Sequence, residues 1–205
     1  FIVRSIEPLV RTLARGASLC LNFSNDVFEP GSPARSTYIE RVIIALEDHL
    51  GLHLMDRLPW VNLSKAPGPI AWASKERIHL NTGFEPIVWM CNSPRESYAD
   101  NRRVLEPHTE RHRKLIAAGG TSAAVSYSDG AYARKAGAFG RETAGRIPKN
   151  VLMRGHRCAD AIATRRHAAE LGVAAHGAVM PTSVVDFLIR YLTQPGQLVV
   201  DPFGG

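Results

Sequence analysis

Leu198-Val199-Val200-Asp201-Pro202-Phe203-Gly204-Gly205 is the stretch on which the fold class turns. Three apolar residues, set off from a preceding helical pattern by Gln194-Pro195-Gly196, read as a buried strand. The glycines after it permit a sharp turn and a close backbone approach to a ligand, because no Cβ blocks it. A nucleotide-site loop of this kind normally runs on into a helix. The sequence stops at Gly205 and opens on Phe1, already close to an amphipathic segment, so the expectation is an internal stretch of a longer enzyme.

Working outward, Val184, Val185, Leu188, Ile189 and Leu192 make one apolar helical face, opened by the start signal Ser183 with Asp186. Near the other end, Ile6, Leu9, Val10 and Leu13 fall at helical spacing, with Ser5 as N-cap and Gly16 beyond the end. Residues 18–23 then read as a short buried strand. A second helix follows Pro30-Gly31-Ser32-Pro33, with a capping box of Thr37 and Glu40 and an apolar stripe of Ile39, Val42, Ile43, Leu46 and Leu50. Residues 53–62 and 84–92 are β-like and can pair antiparallel. From 93 to about 177 the pattern is irregular, with one good helical piece near 109–118. Helices alternating with apolar strands predict an α/β sheet covered on both faces.

At 205 residues the chain can hold one large domain or a core with an insertion, and its 45% apolar content suits a real core. No run of roughly 18 apolar residues is present, which argues against a membrane span. Cys20, Cys91 and Cys158 fit neither a disulfide framework nor a zinc spacing, and suggest core thiols in a reducing, cytoplasmic compartment. The net charge of +6 is uneven: residues 94–170 hold 15 Lys/Arg against 8 Asp/Glu, the remainder 10 against 11. Such a block is either a polyanion-facing insertion or an Arg-rich solvated surface. His108 and His112 stand four apart without a third ligand, so solvent or phosphate contacts are expected there and no metal. Tyr127, Tyr132 and Phe139 interleave with the basic residues and either stack on bases or form a small local core.

The unit from Met180-Pro181-Thr182-Ser183 to Asp201-Pro202-Phe203-Gly204-Gly205 resembles the cofactor half of the amino-methylating DNA methyltransferases, which make N6-methyladenine or N4-methylcytosine. In their permuted group the catalytic half comes first, a target-recognition region follows, and a Pro-led helix and a D-P-F-x-G strand end then hold the cofactor. The resemblance extends to the first hundred residues. Residues 9–23 look like the helix and strand after the catalytic loop, Leu58-Pro59-Trp60-Val61-Asn62-Leu63-Ser64-Lys65 like a strand ending in Trp-x-Lys, and Phe84-Glu85-Pro86-Ile87-Val88-Trp89 like the following Glu-x-Ile-x-Trp strand. Two departures stand out. The catalytic tetrapeptide with Pro-Pro-Tyr/Trp is absent from these residues and is expected upstream of Phe1, and Val179-Met180-Pro181 lacks the more usual His-Pro or Lys-Pro pattern.

The resemblance implies an incomplete Rossmann-like sheet that uses S-adenosylmethionine, divided into a partial catalytic core (1–93), a target-recognition insertion (94–175) and the start of the cofactor-binding half (176–205). It implies cofactor contacts from Asp201, Pro202, Phe203, Gly204, Gly205 and Pro181. DNA contacts are expected from Arg102, Arg103, Arg111, Arg113, Lys114, Arg134, Lys135, Arg141, Arg146, Lys149, Arg154 and Arg157, about half of them plain surface charge. Double-stranded DNA is the implied partner, a cognate restriction endonuclease a further one, in a bacterial or phage setting. The sequence does not choose adenine or cytosine as target, and this stretch is expected to be inactive by itself. Two other readings compete: a non-enzymatic nucleic-acid-binding module, and a Rossmann-type oxidoreductase, which would need a completed G-x-G-x-x-G after Gly204.

Overall fold

A computed structural model describes residues 1–63, 65–126, 128, 132–156, 158–174 and 179–203. The chain divides into two compact units, Phe1–Asp100 with Lys149–Gly205, and Asn101–Pro148.

The first unit opens with α1 (Ile2–Val10), β1 (Ser18–Asn22), α2 (Tyr38–Leu50), β2 (His53–Val61), a turn of π-helix (Ile70–Lys75) and β3 (Phe84–Cys91). The second carries α3 (Glu110–Ala117) and the short strands β4 (Val125–Ser126) and β5 (Ala133–Arg134). Back in the first come β6 (Leu152–Met153), α4 (Ala159–Glu170) and α5 (Thr182–Leu192). The sheet order is β1-β3-β2-β6, with β3 antiparallel to both β1 and β2, and β6 parallel to β2. The expected β2–β3 pair therefore forms.

Period-two alternation along β3 builds two cores. Val88 and Met90 turn to one face, where Ile6 of α1 and Val42, Ile43 and Leu46 of α2 cover them. Ile87 and Trp89 turn to the other, against Leu58, Trp60, Leu152 and the Val184 and Leu192 of α5. Helices on both faces of a mixed sheet follow from this, as the alternating pattern predicts. Gly51 ends α2 in the left-handed conformation (φ 63°) that a C-terminal glycine adopts without a Cβ penalty. Burial pushes the thiol of half-buried Cys20 up to about 12, which keeps it protonated.

The edge where β1 begins and β3 ends is closed by side-chain bonds. Asn92 donates to the carbonyl of Ala14 (2.9 Å) and accepts from the Gly16 N–H (2.9 Å). Gly16 has φ 79° and lies against the Glu96 carbonyl, where a Cβ would collide. The Ser93 hydroxyl and Arg15 hold the Glu96 carboxyl below the usual carboxylate range.

Several sequence expectations need correction. Ser5 lies inside α1 and does not cap it, because the helix starts at Ile2. Thr37 is the N-cap of α2, but its hydroxyl accepts from Arg41 Nε (3.2 Å) and no capping box forms. Asp186 pairs with Arg190 (2.9 Å) one turn on, and Pro181 caps α5 in place of Ser183. Leu198–Val200 is exposed and belongs to no strand, since an apolar run becomes one only where a neighbour accepts its ladder. The irregular 93–177 region contains α4, a helix whose polar and small residues alternate without an apolar stripe. Tyr132 and Phe139 are exposed, and Tyr127 lies outside the described residues.

The second unit is built differently. None of its described residues belongs to the buried hydrophobic core. Turn glycines and backbone pairing hold it, with Gly120 and Gly140 packed against the backbone of Gly137 and Gly119, and Glu106 bridged to Arg146. It carries nine Lys/Arg against four Asp/Glu.

Because both faces of β3 are filled, Leu46→Ala should lower unfolding free energy by about 2–5 kcal/mol, whereas exposed Ile44→Ala on the same helix should stay within about 0.5 kcal/mol, as read by urea denaturation.

Candidate functional site at the carboxyl edge of the sheet

Since β1 and β2 both run against β3, they are parallel to each other and their carboxyl ends emerge together. The register places Asn22 opposite Ile87 and Val61 opposite Phe84, so the amino end of β3 meets them there. Loops 23–37 and 62–83 leave from this edge. In α/β sheets the carboxyl ends of parallel strands are where ligands are bound, because loops there converge without breaking the ladder.

Five half-buried or buried side chains join at this edge. Arg35 donates to the Asn25 carbonyl, to Asp26 Oδ1 (3.2 Å) and to Thr82 Oγ1 (3.2 Å). Thr82 in turn donates to Asp26 Oδ1 (2.5 Å). Lys65 Nζ lies 3.0 Å from Glu85 Oε1 and 3.7 Å from Asp26 Oδ2. Asn22 donates to the other oxygen of Glu85 (3.1 Å). Two cations thus face two carboxylates, and Asp26 Oδ2 keeps acceptor capacity because 3.7 Å is an ion-pair distance rather than a hydrogen bond.

Aromatic packing holds the two loops together. The Arg35 guanidinium lies 4.8 Å over the Phe28 ring. Phe28 also meets Trp72 and, edge on, His79, whose Nε2 is 2.6 Å from the Pro33 carbonyl. Arg35 is therefore the common partner of both loops. Lys65 and Glu85 stood in the two strand motifs read from the sequence, but Asp26, Arg35 and Thr82 were not singled out there. Their positions, 26 and 35, 65 and 82, and 85, lie in two loops and one strand, and the β1–β3–β2 pairing assembles them.

The residues expected at the cofactor loop are placed as follows. Pro181 is buried and its carbonyl accepts the Val184 N–H (2.9 Å), opening α5. Asp201 Oδ1 accepts the Phe203 N–H (3.0 Å), a turn closed by its own side chain. Pro202 and Phe203 are exposed, and Gly204 and Gly205 lie outside the described residues.

Of the expected DNA contacts, Arg111, Lys114, Lys135 and Arg141 are exposed on the second unit. Arg113 pairs with Glu110 (2.6 Å) and Arg146 with Glu106. Arg102 and Arg103 sit on a single 3-10 turn, and Arg134 is half-buried with its Nε shielded from solvent. Lys149 is exposed and Arg154 donates to the Met153 carbonyl, both in the first unit; Arg157 lies outside the described residues. The His108 and His112 rings pack edge to face at 4.5 Å, and His108 Nε2 is 3.1 Å from the Thr143 carbonyl. No three metal-ligating side chains cluster among the described residues, nor is any described helix long and apolar enough to cross a membrane.

The chain belongs to the DNA methylase family (N6_N4_Mtase), which matches residues 1–205. It is 32% identical over 186 residues to the Type II methyltransferase M.PvuII of Proteus hauseri, covering 85% of this chain and 51% of that protein. The chain thus spans about half the length of the curated relative it matches. Its fold is similar to that of the solved PvuII DNA methyltransferase (cytosine-N4-specific), with a TM-score of 0.68 at 23% identity, over 95% of this chain and 54% of the other.

Arg35→Met should loosen both loops together: faster amide exchange across 24–36 and 62–83, little change in α2 or β3, and a stability loss of about 1–3 kcal/mol from the acceptors left unpaired.

Proposed function

We propose that this chain is part of a DNA methyltransferase that moves a methyl group from S-adenosylmethionine to the exocyclic amine of a base in a specific double-stranded site. The observation that carries this reading is the match of the DNA methylase family along the whole of residues 1–205. N4 of cytosine is favoured over N6 of adenine, because the solved relative is described as cytosine-N4-specific.

An exocyclic amine is a poor nucleophile while its lone pair is delocalised into the ring. A carboxylate that accepts one of its N–H groups draws the lone pair out of conjugation. Besides the Pro-Pro-Tyr/Trp motif that the resemblance implies, Asp26 is suited to this: Oδ1 is held by Thr82 and Arg35, and Oδ2 retains acceptor capacity towards an incoming N–H. Lys65 and Glu85 brace it and keep the local charge balanced. Acceleration by such a site is chiefly positioning and preorganised electrostatics. S-adenosylmethionine, when bound, supplies an electrophilic methyl group on a sulfonium. The side-chain turn at Asp201, with exposed Phe203 beside it, suits an amino-acid moiety, an ammonium near the carboxylate and the aliphatic chain near the ring. Pro181, Pro202, Gly204 and Gly205 complete the proposed cofactor contacts, and a Rossmann-like sheet the proposed frame.

Residues 94–175 are proposed as the target-recognition insertion and 176–205 as the start of the cofactor half. A second unit with nine Lys/Arg against four Asp/Glu, and no buried hydrophobic core among its described residues, suits a surface whose affinity comes from a polyanion. The same charge is what favours the alternative, a non-enzymatic nucleic-acid-binding module. A cognate restriction endonuclease fits a type II relative.

The test is expression of the complete reading frame in a methylation-free host, digestion of host DNA to nucleosides and mass spectrometry. N4-methylcytosine is expected. N6-methyladenine would keep the class and change the target base. Unmodified DNA alongside folded protein would shift the reading to the binding module.

A further inference from the structure

We propose that the 62–83 loop is a wedge that enters double-stranded DNA and holds the stack open beside the extruded base; this rests on the methyltransferase reading above. The loop is compact and its ends meet, with the Asn62 N–H bonded to the Gly83 carbonyl (2.9 Å) and the Thr82 N–H to the Gly68 carbonyl (2.8 Å). Its inner wall is fixed: Ala73 is buried, Trp72 lies against Phe28, and Thr82 bonds Asp26. Its outer wall presents Leu63, Ile70, Ile78 and Leu80 to solvent, Leu63 at 81% and Leu80 at 89% exposure. Holding large aliphatic side chains outward on an anchored loop is unfavourable in water and marks a surface with an occupant.

Charge and position select the occupant. Lys75 and Arg77 stand exposed among the aliphatics with only Glu76 opposing them, and Arg77 takes a left-handed backbone (φ 60°) within this turn. A polyanion matches that mixture better than a second copy carrying the same cations. Leu80 is two residues from Thr82, so the aliphatic tip is tethered within about 7 Å of backbone from the residue whose hydroxyl bonds Asp26, the carboxylate proposed to take the target amine. That is about two base steps. Aliphatic side chains pushed between base steps unstack them, and a base leaving the duplex vacates such a step.

The complete protein is mixed with a duplex carrying a fluorescent base analogue at the methylated position mapped from host DNA, and the fluorescence gain on binding is read. Ile78→Ser and Leu80→Ser should each cut the extruded fraction by about tenfold, because unstacking is no longer compensated. The salt dependence of binding should be unchanged, as phosphate contacts persist, and the exposed control Ile44→Ser on α2 should behave as wild type. Wild-type gain with equal gain in both variants overturns the wedge alone. So does a variant that turns a dimer into a monomer while extrusion is kept, which would assign the patch to a second copy. No gain in the wild type overturns the methyltransferase reading and the wedge with it.

Discussion

Burial of β3 on both faces is the constraint on which the rest depends. Ile87, Val88, Trp89, Met90 and Cys91 are consecutive and each is at most 5% exposed. A strand so buried must have helices on both sides and a hydrogen-bonded neighbour at each edge. Here β1 and β2 are those neighbours, both antiparallel to it. Their parallel relation to each other then follows, and with it the meeting of their carboxyl ends. The polar cluster is a consequence of strand pairing two removes away.

That dependence explains what could be read from the sequence. Strands β1, β2 and β3 and helix α2 were legible because apolar residues repeat at two or at three and four, and Gly51 stops the helix. The Trp60 and Trp89 strands could be paired on the same grounds. Side-chain capping was not legible, since Thr37 and Asp186 each had a competing arginine one turn on, Arg41 and Arg190. Helix α4 escaped because Ala161 alone is buried, leaving no apolar period to detect. The candidate site escaped for a different reason. Asp26, Arg35, Lys65 and Thr82 sit in loops, and no local spacing marks residues that meet only through the sheet. The signal that could have found them is the density of Asp, Asn, Ser and Thr just after β1 and just before β3, at the edge where ligands gather.

The two units are held by different physics. The first buries two hydrophobic clusters around a sheet, while the second, among its described residues, relies on glycine turns and surface ion pairs. Exposed ion pairs contribute little to stability, so a unit built this way is the one whose shape a charged partner can most readily set.

The central claim is that Asp26, oriented by Thr82 and Arg35, engages the reacting amine. The most direct measurement is single-turnover methyl transfer by Asp26→Asn in the complete protein, with stability and S-adenosylmethionine affinity measured alongside. The amide oxygen can keep the bonds to Thr82 and Arg35, so the fold and cofactor affinity should hold while the rate falls by about 10²–10⁴. A rate near that of the wild type would contradict the account and leave the cluster a structural brace.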